Sequence, residues 1–185
     1  MIDLGGDLIN SIQNNHSFYL TNLFDAEFIK INTTGQLFGS QIQCVSASFK
    51  KFISQYCDLK FINYYLVIPA KNDIVYHGTQ RFLEKVEPFV TIKKKELKYT
   101  PVGGQIVKKG NMDIEIALDV VRTINDLDVI IIASGDSDFY ELKNYVVSDK
   151  GKNIIFVGYE ENMAWELRLC KHIYLNKIKD EIVLK

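Results

Sequence analysis

Cysteine is scarce in this chain, and Cys44, Cys57 and Cys170 share no spacing that would gather them around zinc or into an even-numbered disulfide framework. Buried thiols of a cytosolic protein are the expected role. The three histidines, His16, His77 and His172, are equally scattered, which leaves no catalytic pair or zinc site and points to surface or satisfied core positions. An excess of one charge is missing too. A formal net charge of -1 gives no global attraction to nucleic acid, so any polyanion must be held by a local patch. No apolar run is long enough to span a bilayer, and the opening Met1-Ile2-Asp3-Leu4-Gly5-Gly6-Asp7 lacks the basic and apolar regions of a signal peptide. A cytoplasmic location is the expectation. Neither an internal repeat nor a linker is visible in 185 residues, a length suited to one domain over residues 1–185, with the first ~15 as an extension.

What is present is an alternation of apolar strands with segments of helical period. Strands are predicted from Phe18 to Phe24, Phe61 to Ile68, Phe89 to Ile92, Val129 to Ile132, Ile154 to Val157 and Ile173 to Leu175. Helices are predicted where Val45, Phe49, Phe52 and Ile53 recur, then from Thr79 to Glu87, Met112 to Asn125, Phe139 to Val147 and near Asn162 to Leu169. In the last of these, Trp165 reads as a packing residue beside Met163, Leu167 and Leu169. Lys93 to Gly104 carries lysines, glycines and no apolar period, which predicts a loop. Strands separated by helices of this length need crossover connections, so the expected class is α/β, a mostly parallel sheet with helices on both faces.

The chemistry-bearing residues sit at the ends of these elements. The aliphatic run Val129-Ile130-Ile131-Ile132 fits a strand covered on both faces, and it stops in Ser134-Gly135-Asp136-Ser137-Asp138. Open α/β sheets place their ligands at such carboxyl ends. Gly135 suits a turn whose backbone angles other residues avoid, and Ser137 or Asp138 can cap the next helix. One acid would serve a plain strand-to-helix junction, and the second suggests a divalent cation. Asp25 likewise follows the first predicted strand. Asp113 opens the helix whose expected packing stripe is Ile114, Ala117, Leu118 and Val121; alone, an acid there is explained by the helix dipole and capping. Glu115 and Asp119 share a face, either a solvated one or, for Asp119, one turned to the sheet edge.

Phe24-Asp25-Ala26-Glu27, then Lys109-Gly110-Asn111-Met112-Asp113 with Asp119, then Ser134-Gly135-Asp136-Ser137-Asp138-Phe139 resemble in order the NYN domain of LabA-like proteins, part of the PIN-like nucleases. The resemblance is strongest from about Lys108 to Leu175, where Gly151-Lys152-Asn153-Ile154 also falls in family order. The first half diverges: the family's strand runs into Asp-Gly-x-Asn, whereas Asp25 here is followed by Ala26, Glu27 and Phe28. Asp3 is a second candidate for that opening, but no strand precedes it, so Asp25 is preferred. One extra residue also separates Gly110 from Asp113.

The resemblance implies a three-layer Rossmann-like, PIN-like fold and a metal-dependent ribonuclease. Carboxylates converging from several strand ends stay ionised beside one another only around a cation, and an oxygen-lined Mg²⁺ or Mn²⁺ site is the natural resolution. By analogy Asp25, Asp113 and Asp136 are the primary metal acids, Asp138 a further ligand or water-orienting base, and Asp119 a more distant acid of the site. Ser134 and Ser137 would bond carboxylates or a phosphate, or serve the turn. Lys93, Lys94, Lys95, Lys98, Lys108 and Lys109 are the expected RNA-binding patch, with Tyr99 a face for an unpaired base, although such a run is commonly only solvated. A homodimer is implied by analogy alone. Two rivals remain: a haloacid-dehalogenase phosphatase with Asp25 as nucleophile, and a silent RNA-binding module on the same fold.

Overall fold

The computed structural model describes residues 17–21, 50–54 and 58–178. Its central sheet contains β1 (Ser17–Thr21), β2 (Asp58–Ile68), β3 (Thr91–Glu96), β6 (Val129–Ile132), β7 (Asn153–Gly158) and β8 (His172–Tyr174). Their order is β3-β2-β1-β6-β7-β8, and every neighbouring pair is parallel. The expected α/β class and parallel sheet are therefore observed. The chain first builds outward from β1 to β3, then returns to the other side of β1 at β6. The order reverses between β1 and β6, where Thr21 pairs with Ile132. Such a reversal opens a crevice beyond the strand ends, because the connections leave in opposite directions.

Helices cover both faces. Alternate residues of β6 enter separate cores: Val129 and Ile131 on one side, joined by Ala133 just beyond the strand, and Ile130 and Ile132 on the other. The first core takes Ile53, from the helical residues 50–54, and Phe82 of α1 (Tyr76–Val86). The second takes Ile116 and Val120 of α2 (Asp113–Thr123), Leu142 of α3 (Tyr140–Asn144) and Leu167 of α4 (Trp165–Arg168). Each such fully buried aliphatic side chain stabilises the fold by about 1.5–3 kcal/mol relative to exposure. No described helix is long and apolar enough to cross a membrane.

Three expectations are corrected. The lysine-rich segment is not a loop: β3 extends through Lys93–Glu96, and β4 (Lys98–Val102) pairs with β5 (Gln105–Lys109) as an antiparallel hairpin. Gly103 and Gly104 have φ of 58° and 81°, so the turn uses two consecutive left-handed residues, the geometry that matches strand twist in a tight hairpin. Lysines on β3, the sheet's edge strand, also discourage further strand pairing. On α2 the buried stripe is Met112, Ile116, Val120 and Ile124, while Ile114, Leu118 and Val121 are 68%, 45% and 42% exposed. This stretch carries two apolar stripes, and periodicity alone does not choose between them. Trp165, 68% exposed, does not pack as expected, nor does Leu169; Met163 and Leu167 fill that role.

Candidate functional site

The carboxyl ends of β6 and β7 and the start of α2 enclose a cavity of about 450 Å³. Asp113, Asp136 and Asp138 all line it, with Ser134 and Asn111 beside them and Tyr159 and Asn162 from the β7 side. Beyond β6 the chain turns at once. Asp136 is the helix cap: its Oδ1 accepts the Asp138 backbone N–H at 3.0 Å, and its own N–H donates to Ser134 Oγ at 3.2 Å. The expected caps, Ser137 and Asp138, instead sit inside a 3-10 turn, Ser137–Phe139, anchored by buried Phe139. Asp136 Oδ2 has no partner among the described residues, and both Asp136 and Asp138 are exposed.

Gly135 is needed for closeness rather than for unusual angles. A Cβ there would lie 2.2 Å from the Asn162 carbonyl oxygen, and Ala164 N–H donates to Gly135 O at 2.8 Å. This contact draws the chain beyond β7 against the β6 turn and closes one cavity wall. Opposite it, Asn111 Nδ2 donates to Asp113 Oδ2 at 2.8 Å. Lys95 fixes that entry by donating to Asn111 O at 3.2 Å and to Glu115 Oε1 at 2.6 Å. The ammonium beside it holds the Glu115 carboxyl below its ordinary range. Burial pushes the phenol of Tyr159, which lines the cavity, above its ordinary range, helped by Glu161.

Other expected site residues fall elsewhere. Asp119 does not line the cavity; it accepts Tyr65 O–H at 2.7 Å, bonds Arg122 at 3.3 Å and lies 3.6 Å from Lys93. It faces the sheet edge because β2 and β3 run beneath that side of α2. Ser137 is exposed in the turn and is also absent from the cavity wall. Lys108 reaches Asp73, and Lys94 projects from the sheet face opposite α2, since its β2 partner Leu66 packs in the other core. Tyr99 is not a free stacking face: its hydroxyl accepts Ala70 N–H at 2.8 Å and donates to Asp73 at 2.9 Å, with Lys108 over its ring. Lys98 and Lys109 are exposed. Asp25 lies outside the described residues, four positions beyond Thr21 at the end of β1.

Among the described residues no three His, Cys, Asp or Glu side chains approach closely enough to hold a metal ion. The donors around the cavity are nonetheless all oxygen: three carboxylates, the Asn111 amide and the Ser134 hydroxyl. That chemistry fits Mg²⁺ or Mn²⁺ better than zinc. Asn111, Tyr159 and Asn162 were not foreseen. Asn111 stands two residues before Asp113, which was a usable signal; Tyr159 and Asn162 flank Glu160 and Glu161 beyond β7, and neither is itself an acid.

Residues 25–176 match the NYN domain family. Over 82 residues, 43% of this chain and 44% of the other, the sequence is 34% identical to low amplitude and bright protein LabA of Synechococcus elongatus. The chain thus matches less than half of that relative's length. The fold is similar to that of VPA0982, a protein of unknown function from Vibrio parahaemolyticus, with a TM-score of 0.64, 19% identity and coverage of 92% of this chain and 97% of that one. With the family match running from Asp25 through all the cavity acids to Asn176, the chain belongs to the NYN domain family.

Proposed function

We propose that this protein is a Mg²⁺- or Mn²⁺-dependent endoribonuclease whose site is built on Asp113, Asp136 and Asp138 with Asp25. The observation that carries the reading is that three carboxylates from two separate elements line one cavity at the carboxyl ends of β6 and β7, next to the sheet's reversal. Family membership supports it over the phosphatase layout. When bound, the metal would supply Lewis acidity, making water more acidic and neutralising charge on the phosphoryl group.

The protein's own groups prepare that site. The Asn111 amide orients Asp113 by bonding one carboxylate oxygen. Asp136 is immobilised by its capping bond through Oδ1, leaving Oδ2 for the cavity. Asp138, exposed on the same wall, is placed to orient water and accept its proton.

A test of the site that does not depend on turnover is calorimetric titration of the protein with Mn²⁺. Binding that weakens about tenfold or more in Asp113→Asn and Asp136→Asn supports the reading, since removing carboxylate ligands lowers cation affinity. Equal binding in all three proteins contradicts it. The silent RNA-binding module is favoured by the absence of a closely grouped acid triplet among the described residues, and retention of RNA without cleavage in Mn²⁺ would establish it.

A further inference from the structure

Six lysines lie between Lys93 and Lys109, and the structure separates them by task. Lys93, Lys95 and Lys108 are engaged with Asp119, Glu115 and Asp73, while Lys94 stands on the sheet face away from α2. Lys98 and Lys109 remain. They are direct partners at the base of the β4–β5 hairpin, and neither has an acidic partner among the described residues. Partners in an antiparallel register project from the same face, with Cβ atoms about 4.5–5.5 Å apart.

Which face they occupy is fixed by the adjacent pair. Tyr99 and Lys108 point the other way, onto Asp73, whose side chain is only 5% exposed. The latch turns the Lys98–Lys109 pair outward. Like charges directly opposite one another destabilise a strand pair, and an anion between them removes that penalty. The hairpin base is also held in place: a Cβ on Gly110 would lie 2.6 Å from Val67 Cγ1. From Lys109 the chain passes through Gly110 to Asn111 on the cavity wall, a step of at most about 7 Å between Cα atoms.

We infer that Lys98 and Lys109 form a phosphate clamp on the outer face of this hairpin, gripping the RNA backbone beside the cavity that holds Asp113. The inference rests on the RNA reading of that cavity. With a net charge of -1, the chain needs such a local cationic site to hold a polyanion. Neither lysine of the clamp has an acidic partner among the described residues, and Lys108 holds their hairpin in position through Asp73.

The test is fluorescence anisotropy of a labelled single-stranded RNA with the full chain in EDTA, over a series of salt concentrations. Lys98→Gln/Lys109→Gln should bind about tenfold more weakly, with a salt slope shallower by about 0.7 for each phosphate that is no longer neutralised. Lys98→Arg/Lys109→Arg should restore binding. Lys50→Gln/Lys51→Gln, which removes two exposed charges from the other side of the sheet, should bind like the wild type. A clamp variant that binds as the wild type does, with an unchanged slope, overturns the clamp and leaves the RNA reading standing. A wild-type protein that neither binds nor cleaves RNA overturns both.

Discussion

Asp136 caps a helical turn, and on the proposed reading it also holds the cation, two duties that a single substitution can separate. Asparagine is as good a helix cap as aspartate, so Asp136→Asn keeps the acceptor for the Asp138 N–H while removing the charge. We expect thermal denaturation of this variant to show a change below about 0.5 kcal/mol, whereas Asp136→Ala should lose about 1 kcal/mol. Mn²⁺-dependent RNA cleavage should be abolished in both. Equal activity of Asp136→Asn and wild type would reduce Asp136 to a cap. The acid pair itself was legible in the sequence because a buried aliphatic run ending in two carboxylates is an unusual junction. Its internal division of labour was not: whether the cap falls at Asp136 or at Ser137 or Asp138 depends on the 3-10 turn. Nor was the reason for Gly135, since the backbone it must admit belongs to Asn162, after the next strand.

At the scale of elements, the β4–β5 hairpin hangs on one buried carboxylate. Asp73 accepts from Lys108 at 2.6 Å, from Val75 N–H at 3.2 Å and from Tyr99 at 2.9 Å, and these donors, Lys108 foremost, hold it below its ordinary 3.8. A depressed carboxyl contributes stability that is complete above the ordinary value and is lost as pH falls through the folded one. The Asp73 carboxyl resonance should therefore titrate below 3.8, moving back toward it in Lys108→Met. A midpoint at or above 3.8 in the wild type would show that the latch does not form in solution. The hairpin was hidden in the sequence by its composition. Lysines and a Gly-Gly pair read as solvated loop, yet Gly103-Gly104 is also a demanding two-residue turn, and the strands flanking it carry little apolar alternation because both are exposed. The packing face of α2 was obscured differently, by a second apolar stripe at Ile114, Leu118 and Val121.

For the whole molecule, strand-helix alternation was enough to foresee a parallel sheet, because parallel neighbours require crossovers and the sequence supplies them. The strand order was not derivable from periodicity, and it is the order that makes the site. β6 returns beside β1, so the turn carrying Asp136 and Asp138 lies at the reversal, and α2 brings Asp113 to the same cavity. Asp113 alone had a bland explanation as a first-turn acid; only the tertiary placement sets it beside the pair. Asp119 shows the converse, an acid at suggestive spacing that the fold binds to Tyr65 of β2, near Lys93 of the edge strand.

The central claim is that these acids cleave RNA through a bound divalent cation. Its most direct test is incubation of the full chain with labelled single-stranded and hairpin RNAs in Mg²⁺, Mn²⁺ or EDTA, with Asp136→Asn alongside. We expect internal cleavage in Mn²⁺ or Mg²⁺, none in EDTA and none by the variant. Cleavage that persists in EDTA or in Asp136→Asn, or intact RNA under every condition, would contradict the claim.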